Sequence, residues 1–157
     1  MFATASLAQR IERAEAGMII EGVRAAARRV PPGQSLIREM NGGVATYVEA
    51  DAPFNKVAGL GFDGVPTTAA LDDLEREFTS RQAPLRFEVS TLGDPDVGRA
   101  LTRRGYELVG FENVLGLPLD PTSSYAPVPG VDVAQARADE SARWLDVVAT
   151  GFMSPDV

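Results

Sequence analysis

Three glycines and one lysine form the clearest chemical pattern in this sequence. In "FNKVAGLGFDGV", Gly59, Gly61 and Gly64 have the GxGxxG spacing, and Lys56 precedes them. Where such a segment joins a strand to a helix, its backbone N–H groups can bind a phosphate. The same segment is also consistent with a strand that is weakened by glycine and followed by a tight turn. In that case Lys56 is a solvated surface residue. Both interpretations remain open at this point.

Carboxylates are the second group of candidates. The acidic cluster within residues 72–77 is typical of a cation or polyamine site or, more often, of a solvated helix face. Glu88 and Glu112 lie on predicted strands and would act as general bases only if a cleft raised their pKa. No sequence feature places them in a cleft, so no catalytic residue is assigned.

Four further polar residues are predicted to have structural roles. Asn55 and Asn113 could orient an amide substrate, but polar residues at strand ends more often cap turns. Tyr47 and Tyr106 are predicted to be core or edge aromatics rather than proton donors.

The composition excludes several classes of function. The 157 residues include no cysteine and no histidine, which removes thiolate chemistry, disulfides and the commonest metal ligands, so we predict no metal site. A net charge of -7 argues against binding of nucleic acid. No apolar run reaches the roughly 18 residues that a membrane helix needs, and the first residues do not resemble a signal peptide. We therefore expect a cytoplasmic protein.

Helical periodicity predicts three helices in the first part of the chain. The first covers residues 6–29, with Ser6 and Gln9 as a capping box. The second covers residues 69–81, capped by Thr67 or Thr68. A short third helix has both ends specified by sequence, since Asp94 caps it and Gly105 terminates it.

Strand patterns alternate with these helices. Strands are predicted at residues 42–49, 55–62, 84–90 and 106–119. The resulting order is helix, strand, strand, helix, strand, helix, strand. It predicts an α/β fold with a mixed sheet and packed helices.

The run from Phe54 to Leu117 resembles the core of the GNAT superfamily of N-acetyltransferases. "KVAGLG" is similar to the family's Arg/Gln-x-x-Gly-x-Gly/Ala signature, with Lys56 in first place, and "DPDVGRALTRRGY" resembles its next segment, a helix that ends in Gly-Phe. In that family, loop amides and the N-terminus of the following helix hold the pyrophosphate of acetyl-CoA. The order and spacing of the parts carry the likeness.

The resemblance implies an α/β fold with a GNAT-like mixed central sheet flanked by helices. It also implies acetyl-CoA as co-substrate, a small-molecule amine as acceptor, and Lys56, Gly59, Gly61 and Gly64 as cofactor-binding residues. The implied activity is acetyl transfer to the amine by direct attack, with a base that removes the amine proton. The alternative is a non-catalytic acetyltransferase-like module that serves as scaffold, dimerisation surface or small-molecule sensor.

Three residues imply that this copy of the fold is degenerate. Leu101 stands where many members carry the tyrosine that protonates the departing thiolate. Asp63 brings a carboxylate to the predicted phosphate position, and Pro66 removes one amide donor. We therefore expect this chain to bind acetyl-CoA weakly or not at all.

The end of the chain resembles the first strand and helix of another GNAT domain. Residues 120–130 are rich in proline and predict a linker, followed by a strand at 131–136 and a helix at 139–152 that contains Trp144. The predicted organisation is a degenerate domain at 1–119, a linker at 120–130 and a truncated second domain at 131–157. We expect this tail, with Trp144 as its anchor, to dock on a missing C-terminal half or to form a homodimer.

Overall fold

The computed structural model describes residues 3–117 and 128–153. The chain divides into two compact units, Met1–Gly110 and Phe111–Val157, each of which is considered by itself. Most of the predicted linker at 120–130 lies outside the described residues.

Helix α1 extends over Ala5–Ala26 and continues as a 3-10 turn, Ala27–Arg29. The predicted helix is confirmed, but its cap is wrong by two residues. The Thr4 hydroxyl accepts a hydrogen bond from the Leu7 N–H at 3.2 Å, and Ser6 lies inside the helix. A threonine at this position satisfies one of the N–H groups that lack a partner in the first turn.

Three short strands form an antiparallel sheet in the order β1-β2-β3, namely β1 (Leu36–Met40), β2 (Gly43–Tyr47) and β3 (Lys56–Ala58). Strand β1 was not among the predicted strands. It forms a hairpin with β2 through Asn41 and Gly42, whose φ angles of 47° and 78° fit a tight two-residue loop. An Asn-Gly pair is the usual sequence of such a loop, because both positions need positive φ.

The strand predictions after β2 are corrected in several places. The strand predicted at 55–62 ends at Ala58, because Gly59 turns the backbone to a φ of +81°. Residues 84–90 form only one parallel bridge, between Val57 and Phe87. Within the described residues, no strand is present at 106–117 or 131–136, where the backbone has no neighbouring strand to supply hydrogen-bond partners. The α/β class is therefore confirmed, whereas the described residues form a small antiparallel sheet with one parallel bridge in place of the expected mixed central sheet.

Helices α2 (Thr68–Ser80) and α3 (Pro95–Arg103) confirm their predictions closely. The Thr67 side chain caps α2 by accepting from the Ala70 N–H, and the Asp94 side chain caps α3 by accepting from the Asp96 N–H. Gly105 has a φ of +88°, as expected for a glycine that ends a helix.

Two apolar clusters cover the two faces of the sheet. Helix α1 packs on one face through Ile19 and Val23, which meet Val48 and Ala58. Helices α2 and α3 pack on the other face in a larger cluster, which consists of Ala45, Tyr47, Val57, Leu60, Leu74, Phe78, Val97 and Leu101. The sheet is thus a middle layer between helices, and its residues alternate between the two faces.

The second unit contains helix α4 (Ser141–Met153), preceded by a 3-10 turn at Ala138–Glu140. The predicted helix is confirmed, but none of its described side chains is buried, and Trp144 is 55% exposed. The partner expected for Trp144 therefore remains a prediction. In the described parts of the chain, no helix has the length and apolar character that a membrane crossing requires.

Candidate functional site

The segment Gly59–Pro66, here called the glycine turn, connects β3 to α2. Its three glycines have φ angles of +81° at Gly59, +95° at Gly61 and +88° at Gly64. Residues with a Cβ adopt this left-handed region at a cost, so the GxGxxG spacing matches three backbone positions that favour glycine. The segment is therefore a turn that leaves the end of β3 and leads to α2, an arrangement that both interpretations of the sequence allow.

Two of these glycines also allow close packing. A Cβ on Gly59 would lie 3.2 Å from the Cα of Gly43, and a Cβ on Gly43 would lie 2.4 Å from the carbonyl oxygen of Ala58. Gly61 approaches the start of α3, where its carbonyl oxygen accepts a hydrogen bond from the Asp94 N–H at 2.7 Å. The first part of the glycine turn is thus fixed, at Gly59 by β2 and at Gly61 by the N-cap of α3.

In the described residues, the glycine turn contains a run of backbone N–H groups without a partner, at residues 60–65. Within the described part of the chain, residues 60–65 donate no backbone hydrogen bond. Leu60 and Gly61 are buried residues, and Asp63 and Gly64 are exposed. Consecutive unpaired N–H groups around left-handed glycines can form a concave site for an anion. This arrangement could hold a phosphate without a cationic side chain.

The carboxylate of Asp63 is already paired with α1. Arg13 donates to it at 3.2 Å and the Gln9 side-chain amide at 3.5 Å, while the Asn41 side chain donates to the Asp63 backbone oxygen at 3.4 Å. The sequence suggested an unpaired carboxylate that would repel a phosphate. The carboxylate is not unpaired, because Arg13, which is distant in sequence, forms a partly exposed ion pair with it.

Lys56 is engaged in the same way. Its ammonium lies 2.6 Å from Oε1 of Glu88, and the lysine side chain is only 23% exposed. Lys56 is therefore neither fully solvated nor free to bind a phosphate. Glu88, considered as a general base, holds this lysine instead.

Glu12 is a carboxylate that the sequence did not single out. It lies on α1 beside the start of the glycine turn, where a Cβ added to Gly59 would be 3.7 Å from the Glu12 backbone oxygen. Burial raises the pKa of Glu12, the nearby charges of Glu15 and Glu88 raise it further, and the Gly59 N–H opposes them. A carboxyl group with a raised pKa next to an unpaired run of amides is suited to accept a proton.

A shallow groove adjoins the glycine turn between α1 and the β1–β2 hairpin. Its volume is about 430 Å³, and Arg13, Ala16, Glu39, Asn41 and Gly42 are among its lining residues. Arg13 and Asn41 are the residues that also hold Asp63. The groove therefore offers a space of mixed polar and apolar lining next to the turn.

No family model, curated protein or solved structure matches this chain. The assignment of chemistry to this turn therefore depends on its own geometry and on the resemblance of its sequence.

Of the remaining sequence candidates, Asn55 and Tyr47 have structural partners. Asn55 is buried, where it accepts from the Val48 N–H at 3.0 Å and donates to the Glu49 oxygen at 2.6 Å. Tyr47 lies in the core with its ring edge on Phe78. Asn113 and Glu112 are exposed residues of the second unit.

The acidic cluster on α2 is paired with arginines. Asp72 and Glu75 bind Arg104, Asp73 binds Arg76, and Glu77 binds Arg81 and Arg38. Among the described residues no group of three acidic side chains is placed to hold a metal ion. The interpretation as a paired, partly solvated helix face is the one that this geometry favours.

Proposed function

We propose that the protein is an acetyltransferase of the GNAT type, which transfers the acetyl group of acetyl-CoA to an amine. The observation that supports this most is the run of unpaired N–H groups at residues 60–65, between β3 and the N-terminus of α2. A turn of this kind can bind the pyrophosphate of acetyl-CoA through its backbone. The parallel contact of Val57 with Phe87 gives the sequence order strand, glycine turn, helix, strand, which agrees with the resemblance.

In this proposal the amine nitrogen attacks the thioester carbonyl carbon, the C–N bond forms and the C–S bond breaks. Glu12 accepts the proton that the amine loses, because its pKa is raised and it lies on α1 beside Gly59 at the start of the turn. The thiolate of coenzyme A leaves without help from position 101, since Leu101 is buried in the core. Acetyl transfer by this unit alone is therefore expected to be slow.

Affinity for acetyl-CoA is expected to be weak for an electrostatic reason. Arg13 and Lys56, the cations nearest to the turn, are each paired with a carboxylate. The backbone amides thus bind the phosphates without a free positive charge.

Amide NMR spectra recorded during a titration with acetyl-CoA test the proposal at the turn itself. The N–H signals of residues 60–65 should shift, whereas S-acetylpantetheine, which lacks the pyrophosphate, should leave them in place. Asp63→Asn should tighten binding, because it removes a negative charge and releases Arg13. An acetyl-CoA titration at millimolar concentrations with no shift at these residues would refute the assignment.

The alternative function is a non-catalytic acetyltransferase-like module, favoured by Leu101 and by the Lys56–Glu88 pair. A thiol reagent that detects released coenzyme A discriminates between the two functions. The sequence contains no cysteine, so the protein contributes no background signal. Release of coenzyme A that depends on an added amine supports the enzymatic function. Binding of acetyl-CoA without release of coenzyme A, across a panel of amines, supports the non-catalytic function.

A further inference from the structure

Within the described residues, no strand pairs with the outer edge of residues 84–90. On its inner side, Arg86 accepts from the Val57 N–H and Glu88 donates to the Val57 oxygen, both at 2.8 Å. Because backbone groups alternate along an extended chain, the N–H and C=O groups of Leu85, Phe87 and Val89 point to the outer side. Within the described residues those groups make no hydrogen bond.

This edge is also apolar on one face. Leu85, Phe87 and Val89 are half-buried and pack against the larger core cluster, so that part of each side chain remains open to solvent. An extended segment with free backbone groups and apolar side chains is a template for another strand.

The charges of this segment are complementary to themselves. In an antiparallel pair centred on Phe87, Arg86 of one chain faces Glu88 of the other, Leu85 faces Val89, and Phe87 faces its own copy. Arg86 is exposed and makes no ion pair in the described part of the chain, and Glu88 binds Lys56 through one oxygen and keeps the other. Opposite charges directly across a strand pair stabilise it, and aromatic pairs do the same.

We propose that residues 84–90 are an interface at which two copies of this chain pair edge to edge. The groups that point outward are those that an antiparallel pair centred on Phe87 requires, since the pairs Phe87–Phe87, Leu85–Val89 and Val89–Leu85 would each exchange two hydrogen bonds. The contact is isologous, and the two sheets become one across a two-fold axis. A single strand pair is a small interface, so the dimer dissociates on dilution. This inference does not depend on acetyl transfer.

Charge reversal tests the pairing. Sedimentation or light scattering of the whole chain over about 1 to 500 µM should show a monomer–dimer equilibrium. Arg86→Glu and Glu88→Arg, each alone, place like charges opposite each other and should weaken the dimer on the order of tenfold. An equimolar mixture of the two variants restores both attractive pairs and should form a heterodimer about as strong as the original. Arg10→Glu is the matched control, because Arg10 is exposed on α1 without an ion pair in the described residues.

Hydrogen exchange gives a second measurement at the backbone. The N–H groups of Phe87 and Val89 should become protected as the protein concentration rises, and Arg86→Glu should remove that protection. A protein that stays monomeric over the whole concentration range would overturn the proposal. This includes a monomer in which a strand of the same molecule covers the edge of residues 84–90. The proposal would be overturned equally by a dimer that Arg86→Glu leaves unchanged or by a mixture that shows no recovery.

Discussion

Arg104 holds Glu75 through two parallel hydrogen bonds, with Nε 2.8 Å from Oε1 and a terminal nitrogen 2.7 Å from Oε2. The same terminal nitrogen also binds Asp72. The guanidinium of the α3 C-cap is therefore fixed to α2, and the planar fork of arginine matches the carboxylate in a way that lysine does not.

Arg104→Lys should lower the melting temperature by roughly 2–5 °C, because an ammonium cannot make both bonds. Arg103→Lys is the control, since Arg103 is an exposed neighbour without an ion pair in the described residues. The Arg104 hydrogen bonds lower the pKa of Glu75, so their stabilisation is present above the ordinary glutamate pKa and is lost as pH falls through the lowered one. The melting temperatures of the two lysine variants should therefore become equal at acid pH. Equal melting temperatures at neutral pH would contradict the stabilising role of Arg104.

Tyr106 should titrate unusually late. Burial and the nearby charge of Glu75 raise the pKa of Tyr106 to about 12, and its hydroxyl lies 3.3 Å from Glu75. Absorbance near 295 nm, followed from pH 9 to 13, should show a phenolate step at about pH 12 that is missing in Tyr106→Phe. Stability tied to this group is present below pH 10 and declines as pH rises towards 12. A wild-type titration complete by pH 11 would contradict the geometry.

Glu12→Gln should stabilise the fold at neutral pH. Folding raises the pKa of Glu12, so its favourable contribution is present below the ordinary glutamate pKa and is lost as pH rises through the raised value. Glutamine has nearly the same shape and carries no charge. The melting temperature of the variant should exceed that of the wild type by about 1–3 °C at pH 7, with the difference vanishing near pH 3. Glu49→Gln, at an exposed position, is the control variant.

Gly61→Ala should destabilise the protein by about 1–3 kcal/mol, since it combines a positive φ with a tight contact. The φ of Gly61 is +95°, and the new Cβ would lie 3.0 Å from the Asp94 nitrogen. Gly98→Ala is the control, because the same substitution at this position should have the opposite effect on stability. Gly98 lies inside α3, with no atom within 4 Å of an added Cβ. The substitution should stabilise the protein by up to about 1 kcal/mol. Chemical denaturation of both variants checks the contrast, and a neutral Gly61→Ala would refute the strained turn.

Local signals in the sequence located the helices well. Asp94, Pro95 and Gly105 specify the start and end of α3 almost by themselves, because capping and termination depend on residues within one turn of each other. The missed strand β1 could also have been found, since Asn41-Gly42 between two extended runs is the common sequence of a hairpin. Patterns at 106–117 and 131–136 predicted strands that the described structure lacks, because a strand also needs a neighbour.

The sequence by itself determined the α/β class, the ends of α2 and α3, and the positions at which glycine is required. Only the tertiary structure decided which charges are free. Arg13 meets Asp63 across 50 residues and Lys56 meets Glu88 across 32, so neither pair is visible as a local pattern. Because of these two contacts, Asp63 is not an unpaired carboxylate beside the glycine turn, and Lys56 is not an unpaired cation. Ion pairing depends on distances of a few ångströms in space, and spacing along the chain does not specify them.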